Sequence, residues 1–452
     1  MFFEKLYQKI GVKSNRTKNI TKHVFASFIY KGGSIVASFL IVPLTIKFLD
    51  TENYGIWLTL SSLISWFSFF DIGLGHGLRN KFAEAKADGD FKLAQAYVST
   101  AYFTIGIVCA IMIFLFLSLN YFIDWATFFN ASKSMKHDLN ILMPVVFSFF
   151  CIQLVVKLIA TIYTADQHHS MQGKITFYTN LITLITIWML TFTSKSSLLL
   201  FGTFFSIFPV LILIGLNYFA FSKRYYEFRP KLNLYKKEYL KDICGLGMKF
   251  FILQICGIIL FTSDNLIISK LFSPADVVPY NLVYKYFSIV TMGFSIILAP
   301  YWSTFTEASK KEDWEWIRLS MKNLLKLMLP ITFIFLIMIL LSDYSFKLWI
   351  GDKLTIPFSL TISIGCFFIL NNYISIYTVF LNGVGKIKLQ TFQAVGTAII
   401  NIPLSIFFAS FLKMGPKGVI TATIMCSLPA LVLGPIQYHK IINKKATGIF
   451  NS

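Results

Sequence analysis

Charge is scarce in this sequence, and acidic charge is scarcer still. Of 452 residues only 14% are charged, with 21 Asp and Glu against 41 Lys and Arg. An ordinary soluble domain carries roughly 25% charged residues, so a soluble two-domain enzyme and a disordered chain are both excluded at the outset. The six cysteines (Cys109, Cys151, Cys244, Cys256, Cys366, Cys426) lie in or beside apolar runs and form no CxxC pair and no Cys/His group at metal-ligand spacing. A disulfide scaffold and a zinc site are therefore not expected, and the thiols read as small buried hydrophobes. The first 23 residues carry six Lys and Arg but no apolar core with a small-residue cleavage site, so no removable signal is expected. Phe2, Phe3, Leu6 and Ile10 share one face and suit a short interfacial helix. No loop between apolar runs exceeds about two dozen residues, which leaves no room for a soluble catalytic domain.

What the chain does contain is apolar length. Hydrophobic residues make up 56% of it, Phe alone contributes 48, and the mean hydropathy is +0.67. A membrane-spanning helix needs about 20 mostly apolar residues. Twelve windows qualify: 24–46, 54–75, 97–123, 141–163, 175–193, 197–221, 244–269, 277–303, 327–349, 356–381, 389–411 and 418–439. The runs are too long and continuous for the strands of a membrane barrel. In lipid the backbone must satisfy its own hydrogen bonds, so the expected fold is an all-α integral membrane protein of twelve transmembrane helices.

The basic residues divide unequally over the connections. The N-terminus, the loops after even-numbered windows and the C-terminal tail hold 28 of them; the loops after odd-numbered windows hold nine, counting Lys347 two residues inside the end of the ninth window. Short loops rich in Lys and Arg stay on the cytoplasmic side, which predicts both termini there. The net charge of +20 is then a topology label that meets acidic lipid headgroups, and nucleic acid is not needed to explain it. Of the rest, Lys31, Lys157, Lys249 and Lys285 fall within windows.

The chain also repeats itself. At a constant offset of 223, Phe82-Ala83-Glu84-Ala85 aligns with Phe305-Thr306-Glu307-Ala308, Asp90 with Asp313, Lys47 with Lys270 and Leu44 with Ile267. Six windows per half is an even number, so both halves enter the membrane in the same direction. Parallel repeats of this kind form two six-helix lobes around a central cavity, with a substrate path between them. The expected division is a cytoplasmic N-terminal segment (1–23), an N-terminal lobe (24–221), a cytoplasmic linker (222–243), a C-terminal lobe (244–439) and a cytoplasmic tail (440–452).

Polar residues recur at helical spacing inside several windows. Ser27, Lys31, Ser34 and Ser38 share a face of the first, and Gln153, Lys157, Thr161 and Thr164 a face of the fourth. Gln254, Gly257, Phe261 and Asp264 line the seventh, with Lys249 near its start. Asn281, Lys285, Ser288, Met292 and Ser295 line the eighth, and Asn371, Ser375, Thr378 and Asn382 the tenth. A Lys or Asp at mid-bilayer costs about 2.5–3.5 kcal/mol, so such faces are expected to look into a wet cavity. Lys31, Lys157, Lys249, Lys285, Ser34, Gln153 and Asn281 are thus the candidate substrate-binding residues. The competing reading lets Lys31, Lys157 and Lys249 snorkel to the nearby surface and lets hydroxyls bond to their own helix backbone. Asp264 is either the salt-bridge partner of one of these lysines or a coupling site for protons or sodium. Asp71, Gly73 and Gly75 end the second window as a hinge or gate. Basic residues outnumber acidic ones within the windows, five (with Lys347) to three (Asp71, Asp264 and Asp343), which suits an anionic cargo.

Two motifs are decoys. Gly383-Val384-Gly385-Lys386 resembles the end of a phosphate loop, but Phe380 and Ile387 break the GxxxxGK[ST] frame and a membrane helix precedes it. His168-His169 lack partners at ligand spacing, so no metal is expected. GxSxG and HExxH are absent.

Val42-Pro43-Leu44-Thr45-Ile46-Lys47-Phe48-Leu49, then Glu52-Asn53-Tyr54-Gly55-Ile56-Trp57, resembles bacterial polysaccharide flippases, the Wzx-type O-antigen transporters. Phe70-Asp71-Ile72-Gly73-Leu74-Gly75 and Arg79-Asn80-Lys81-Phe82-Ala83-Glu84-Ala85 extend the likeness. Asp264-Asn265-Leu266-Ile267-Ile268-Ser269-Lys270-Leu271 with Tyr280-Asn281 is similar to the same family's seventh-helix region. The superfamily also holds multidrug exporters and peptidoglycan-precursor flippases, which typically have two more spans. The resemblance implies transfer of an undecaprenyl-pyrophosphate-linked oligosaccharide from the cytoplasmic to the outer leaflet of the bacterial inner membrane. It implies a non-enzyme without a cofactor, turned over by alternating access, with protons or sodium as candidate coupling ions. Membrane lipids and a polysaccharide polymerase complex are candidate partners. The alternatives are a drug or cation antiporter, for which acidic cavity residues would be expected, and a membrane polysaccharide polymerase. A sugar transporter of the major facilitator type would carry a GxxxD(R/K)xG(R/K) loop that this chain lacks.

Overall fold

The computed structural model describes residues 15–67, 72–166, 168, 170–193, 195–244, 248–351 and 354–451. Among them the secondary structure is helical, without strands. The main helices are α1 (Asn15–Ser65), α2 (Ile72–Ala87), α3 (Phe91–Asn120), α4 (Lys136–Val156), α5 (Leu158–Ala165), α6 (Ser170–Thr193) and α7 (Leu198–Phe219). They continue with α8 (Glu238–Cys244), α9 (Met248–Leu271), α10 (Pro274–Lys310), α11 (Trp314–Leu340), α12 (Phe358–Val384), α13 (Lys388–Ile406) and α14 (Pro416–Ile442).

Among the described residues, ten helical stretches are long and apolar enough to cross a membrane. The first, Ile29–Ser65, runs through two of the sequence windows and is broken at Asp50, whose backbone sits at φ 68°, ψ 174°. The seventh window lies on α9, which is not one of the ten. Large apolar side chains face outward all along the helices; Phe114 is 70% exposed and Leu340 76%. In water this surface would drive aggregation. In a bilayer it is the ordinary lipid-facing side, and the chain is an integral, multi-pass membrane protein.

Contacts gather the chain into two units. The first comprises Met1–Asp50, Phe67–Phe128 and Ser132–Phe251. Its packing is close where α2 meets α8: a Cβ on Gly77 would lie 1.8 Å from the Ile243 carbonyl oxygen, so only glycine fits there. The second comprises Thr51–Trp66, Phe129–Ala131 and Ile252–Ser452. Its core is aromatic, with Phe287, Phe305, Phe335, Phe367 and Phe380 fully buried or nearly so.

The internal repeat recurs as geometry. Asp90 caps α3 by accepting from the Leu93 N–H at 2.9 Å, and Asp313 caps α11 by accepting from the Trp316 N–H at 3.1 Å. The turns before them match bond for bond: Asp90 N donates to Ala85 O and Asp313 N to Ala308 O, each at 2.9 Å. Phe82 and Phe305 are both fully buried. Four consecutive turn residues therefore take the same path in each unit because the same cap and the same buried ring fix them.

One stretch read as connection is helix. Residues 314–326 precede the ninth window, yet α11 begins at Trp314. Ile317, Met321, Leu324 and Met328 are buried at spacings of four, three and four. The segment is amphipathic, so a window on mean hydropathy passes over it, although its buried stripe is continuous with the apolar span.

Candidate functional site

In the first unit the fourth window is not one helix. It breaks at Lys157, between α4 and α5. Ala160 N–H turns from the carbonyl four residues back to that of Lys157, at 2.9 Å. The released Val156 carbonyl accepts instead from Asn217 Nδ2 at 2.7 Å. Asn217 also donates to Leu213 O at 2.7 Å and accepts from Tyr102 Oη–H at 2.7 Å. A neighbouring helix thus repairs the break, the usual condition for irregular backbone at membrane depth.

Beside the break lies a pocket of about 170 Å³. Gln153 and Lys157 form one wall, Gln172, Thr176 and Thr179 of α6 another, and Pro209 and Leu213 of α7 the apolar floor. Thr179 Oγ1 is buried without a hydrogen-bond partner among the described residues. One amine, two carboxamides and two hydroxyls converge there, a set able to meet a phosphate or sugar hydroxyls.

Lys31 and Ser34 do not line that pocket. Ser34 is buried and accepts from Asn180 Nδ2, at 2.8 Å on Oγ and 3.1 Å on its carbonyl, so it joins α1 to α6. Lys31 is exposed one turn away, near Tyr30, over which Lys174 lies at 5.5 Å. Ser38 and Thr164 bond back to Ile35 O and Ala160 O.

In the second unit Asp264 is 4% exposed and accepts from Tyr280 Oη–H, while its Oδ1 has no partner among the described residues. Its neighbours form a ladder: Asn281 donates to Asn265 Oδ1 at 2.7 Å, and Asn265 donates to Ser62 Oγ at 2.7 Å. Lys285 is half-buried on the same helix as Asn281. Ser288, Ser295 and Ser375 bond their own backbones, to Lys285 O, Met292 O and Asn372 O. Ser38, Ser288, Ser295, Ser375 and Thr164 thus bond to their own helices, while Ser34, Ser62, the amides and Asp264 carry the interhelical bonds.

Asp71, His169 and the Phe2–Ile10 segment lie outside the described residues, as do the side chains of Ser27, Lys249, Gln254 and Phe261. Gly73 and Gly75 lie in the first turn of α2. The phosphate-loop decoy resolves into a helix end. Gly385 adopts φ 76° as the C-cap of α12, and a Cβ on Gly383 would lie 2.8 Å from Phe305 Cβ.

A polar cluster that no sequence motif marks lies just outside the spans. Asp166 accepts from Lys86, from Tyr225 Oη–H at 2.9 Å and from Arg224 Nη2 at 3.1 Å, with His168 also against Arg224. Burial pushes the Asp166 carboxyl up, but the hydrogen bonds from Lys86, Tyr225 and Arg224 outweigh it and hold the group below its ordinary value. No local motif marks it, because the partners are 80, 59 and 58 residues away.

Apolar, membrane-spanning helices in two units that share a repeated turn, with a polar pocket among the helices of the first, are the features of a membrane transport fold. The solved structures agree on the fold. An inward-facing multidrug resistance MATE family transporter of the MOP superfamily matches with a TM-score of 0.78 at 12% identity, covering 92% of this chain and 96% of that one. A MOP superfamily transporter from Pyrococcus furiosus matches at 0.65 and 13% identity, over 94% and 97%. Residues 20–306 match the model of the polysaccharide biosynthesis protein family, and the chain belongs to that family. Among curated relatives, a putative O-antigen export protein of Yersinia pseudotuberculosis is 23% identical over 78% of this chain and 81% of its own length. A putative O-antigen transporter of Salmonella typhimurium is 22% identical over 88% and 91%.

Proposed function

We propose that this protein is a flippase that carries undecaprenyl-pyrophosphate-linked oligosaccharide, the repeat unit of an O-antigen or another surface polysaccharide, from the cytoplasmic to the outer leaflet of the inner membrane. The family and the O-antigen exporters among its relatives support a polysaccharide precursor as cargo, and the transporter fold supports alternating access. The observation that carries the reading is the Lys157 pocket. A cation, two carboxamides and two hydroxyls at membrane depth suit a phosphate with attached sugars, and an excess of cations disfavours a cationic drug. Lys285 and Asn281 are the candidates in the second unit. Asp264 is the candidate for coupling, and Asp71 with Gly73 and Gly75 for a hinge. Both termini are assigned to the cytoplasm, with lobes at 24–221 and 244–439.

The test is replacement of Lys157 by Ala in cells whose surface glycan depends on this protein. Loss of one charge-assisted contact should lower surface glycan about tenfold, with protein retained in the membrane and undecaprenyl-linked intermediates accumulating inside. Unchanged glycan with wild-type protein levels would remove the pocket from the mechanism.

A further inference from the structure

A cleft of about 850 Å³ opens in the second unit between α11, α12 and α14. Leu325, Leu329 and Thr332 line it from α11, and Cys366, Leu370 and Tyr373 from α12. Each set is spaced by four and three residues and therefore stands on one helix face. Apart from Thr332 and the hydroxyl of Tyr373 these walls are hydrocarbon and sulfur, so the cleft suits a hydrocarbon chain and no polar cargo.

The same face of α11 continues toward Trp314 with Lys322 and Arg318. At about 100° per residue, Arg318, Lys322, Leu325, Leu329 and Thr332 fall within an arc of roughly 80°, and Lys322 and Arg318 precede Leu325 by about 5 and 10 Å of rise. Both cations are exposed. Arg318 Nη2 donates to Ile442 O at 3.3 Å, which holds the guanidinium at the end of α14, the third wall of the cleft, with other N–H donors left to its fork. An apolar slot with two cations at one end is complementary to a long chain carrying an anionic head.

We propose that this cleft docks the lipid carrier itself: the polyprenyl chain lies along α11 and α12 while its phosphate or pyrophosphate meets Lys322 and Arg318. The inference rests on the flippase reading, and adds to it a site separate from the Lys157 pocket at which the carrier is held from the bilayer. A zwitterionic phospholipid would leave the two cations unmatched. An anionic phospholipid is the competitor, and the test separates the two.

Full-length protein in phosphatidylcholine nanodiscs is irradiated with a photoreactive polyprenyl phosphate, and the labelled residues are mapped by mass spectrometry. Label is expected within 318–332 and 366–373, displaced by unlabelled polyprenyl phosphate and not by equal phosphatidylglycerol. Arg318→Gln and Lys322→Gln should each lower it about fivefold, as loss of one cation near a membrane anion does. Lys322→Arg should restore it. Leu329 is 73% exposed, so Leu329→Trp should fold normally, by gel filtration, while filling the cleft and abolishing the label. Equal displacement by phosphatidylglycerol would overturn the proposal in favour of an ordinary anionic lipid. Label confined to other segments would overturn the cleft and leave the flippase reading standing. No label anywhere would overturn both.

Discussion

Asn217 makes three hydrogen bonds, two of them to residues that no local pattern connects to it, Val156 and Tyr102 being 61 and 115 positions away. Replacing it by Leu leaves the Val156 carbonyl and the Tyr102 hydroxyl without partners in a site that water reaches poorly. Each orphaned group costs about 1–3 kcal/mol, so Asn217→Leu should lower the melting temperature in detergent clearly, whereas Leu216→Ile beside it should not. The sequence marked Lys157 and Gln153 by their spacing, but not Thr179 or Gln172, which line the same pocket from α6, nor Asn217, which bonds Val156 O from α7. Partners within a helix are legible from periodicity; partners across helices depend on packing that one chain of letters does not display. Asp166 is a second case of that kind. Its folded-state carboxyl lies below the ordinary 3.8, so its contribution to stability is present above that value and is lost as pH falls through the folded one. Asp166→Asn should therefore destabilise the protein at neutral pH, and the gap from wild type should close as thermal melts are taken below about pH 4. A gap constant from pH 7 to 3 would mean that the carboxylate charge contributes nothing.

At the scale of elements, the repeat was the most legible feature, because capping is local chemistry. An Asp accepting from the N–H three residues on needs no partner from elsewhere in the fold, so Asp90 and Asp313, which align in sequence, make the same cap in space. Asp90→Ala and Asp313→Ala should each cost about 1 kcal/mol and, the geometries being alike, should shift the melting temperature by similar amounts. A large effect in one half alone would show that the equivalent turns differ in what they support. The start of α11 was less legible for the opposite reason. Its first turns carry Glu315, Arg318 and Lys322, which lower mean hydropathy, while the buried stripe of Ile317, Met321 and Leu324 holds it as helix. Arg318, Lys322 and Lys326, loop residues by mean hydropathy, stand on this helix, and the proposed docking cleft is built on two of them.

For the whole molecule, the question left to experiment is orientation, and the charge distribution argues it. Twenty-eight basic residues belong to one set of connections and nine to the other. Moving Arg318, Lys322 and Lys326 from loop to helix does not alter that division, since they stay at the end of α11 that follows Lys310 and Lys311. The bias acts during insertion, when translocating a short loop dense in Lys and Arg is disfavoured, so it should fix topology whatever the cargo. A fluorescent reporter that matures only in the cytoplasm, fused after Ser452, should fluoresce. A cysteine placed at Lys195, in the short connection before α7, should react in whole cells with a membrane-impermeant maleimide, while one placed at Lys237 should react only after the membrane is opened. Dark fusions with the two labelling patterns exchanged would invert the molecule. The Arg318 and Lys322 end of the cleft would then open toward the outer leaflet, and the same site would serve to receive a carrier after its glycan had been delivered instead of before.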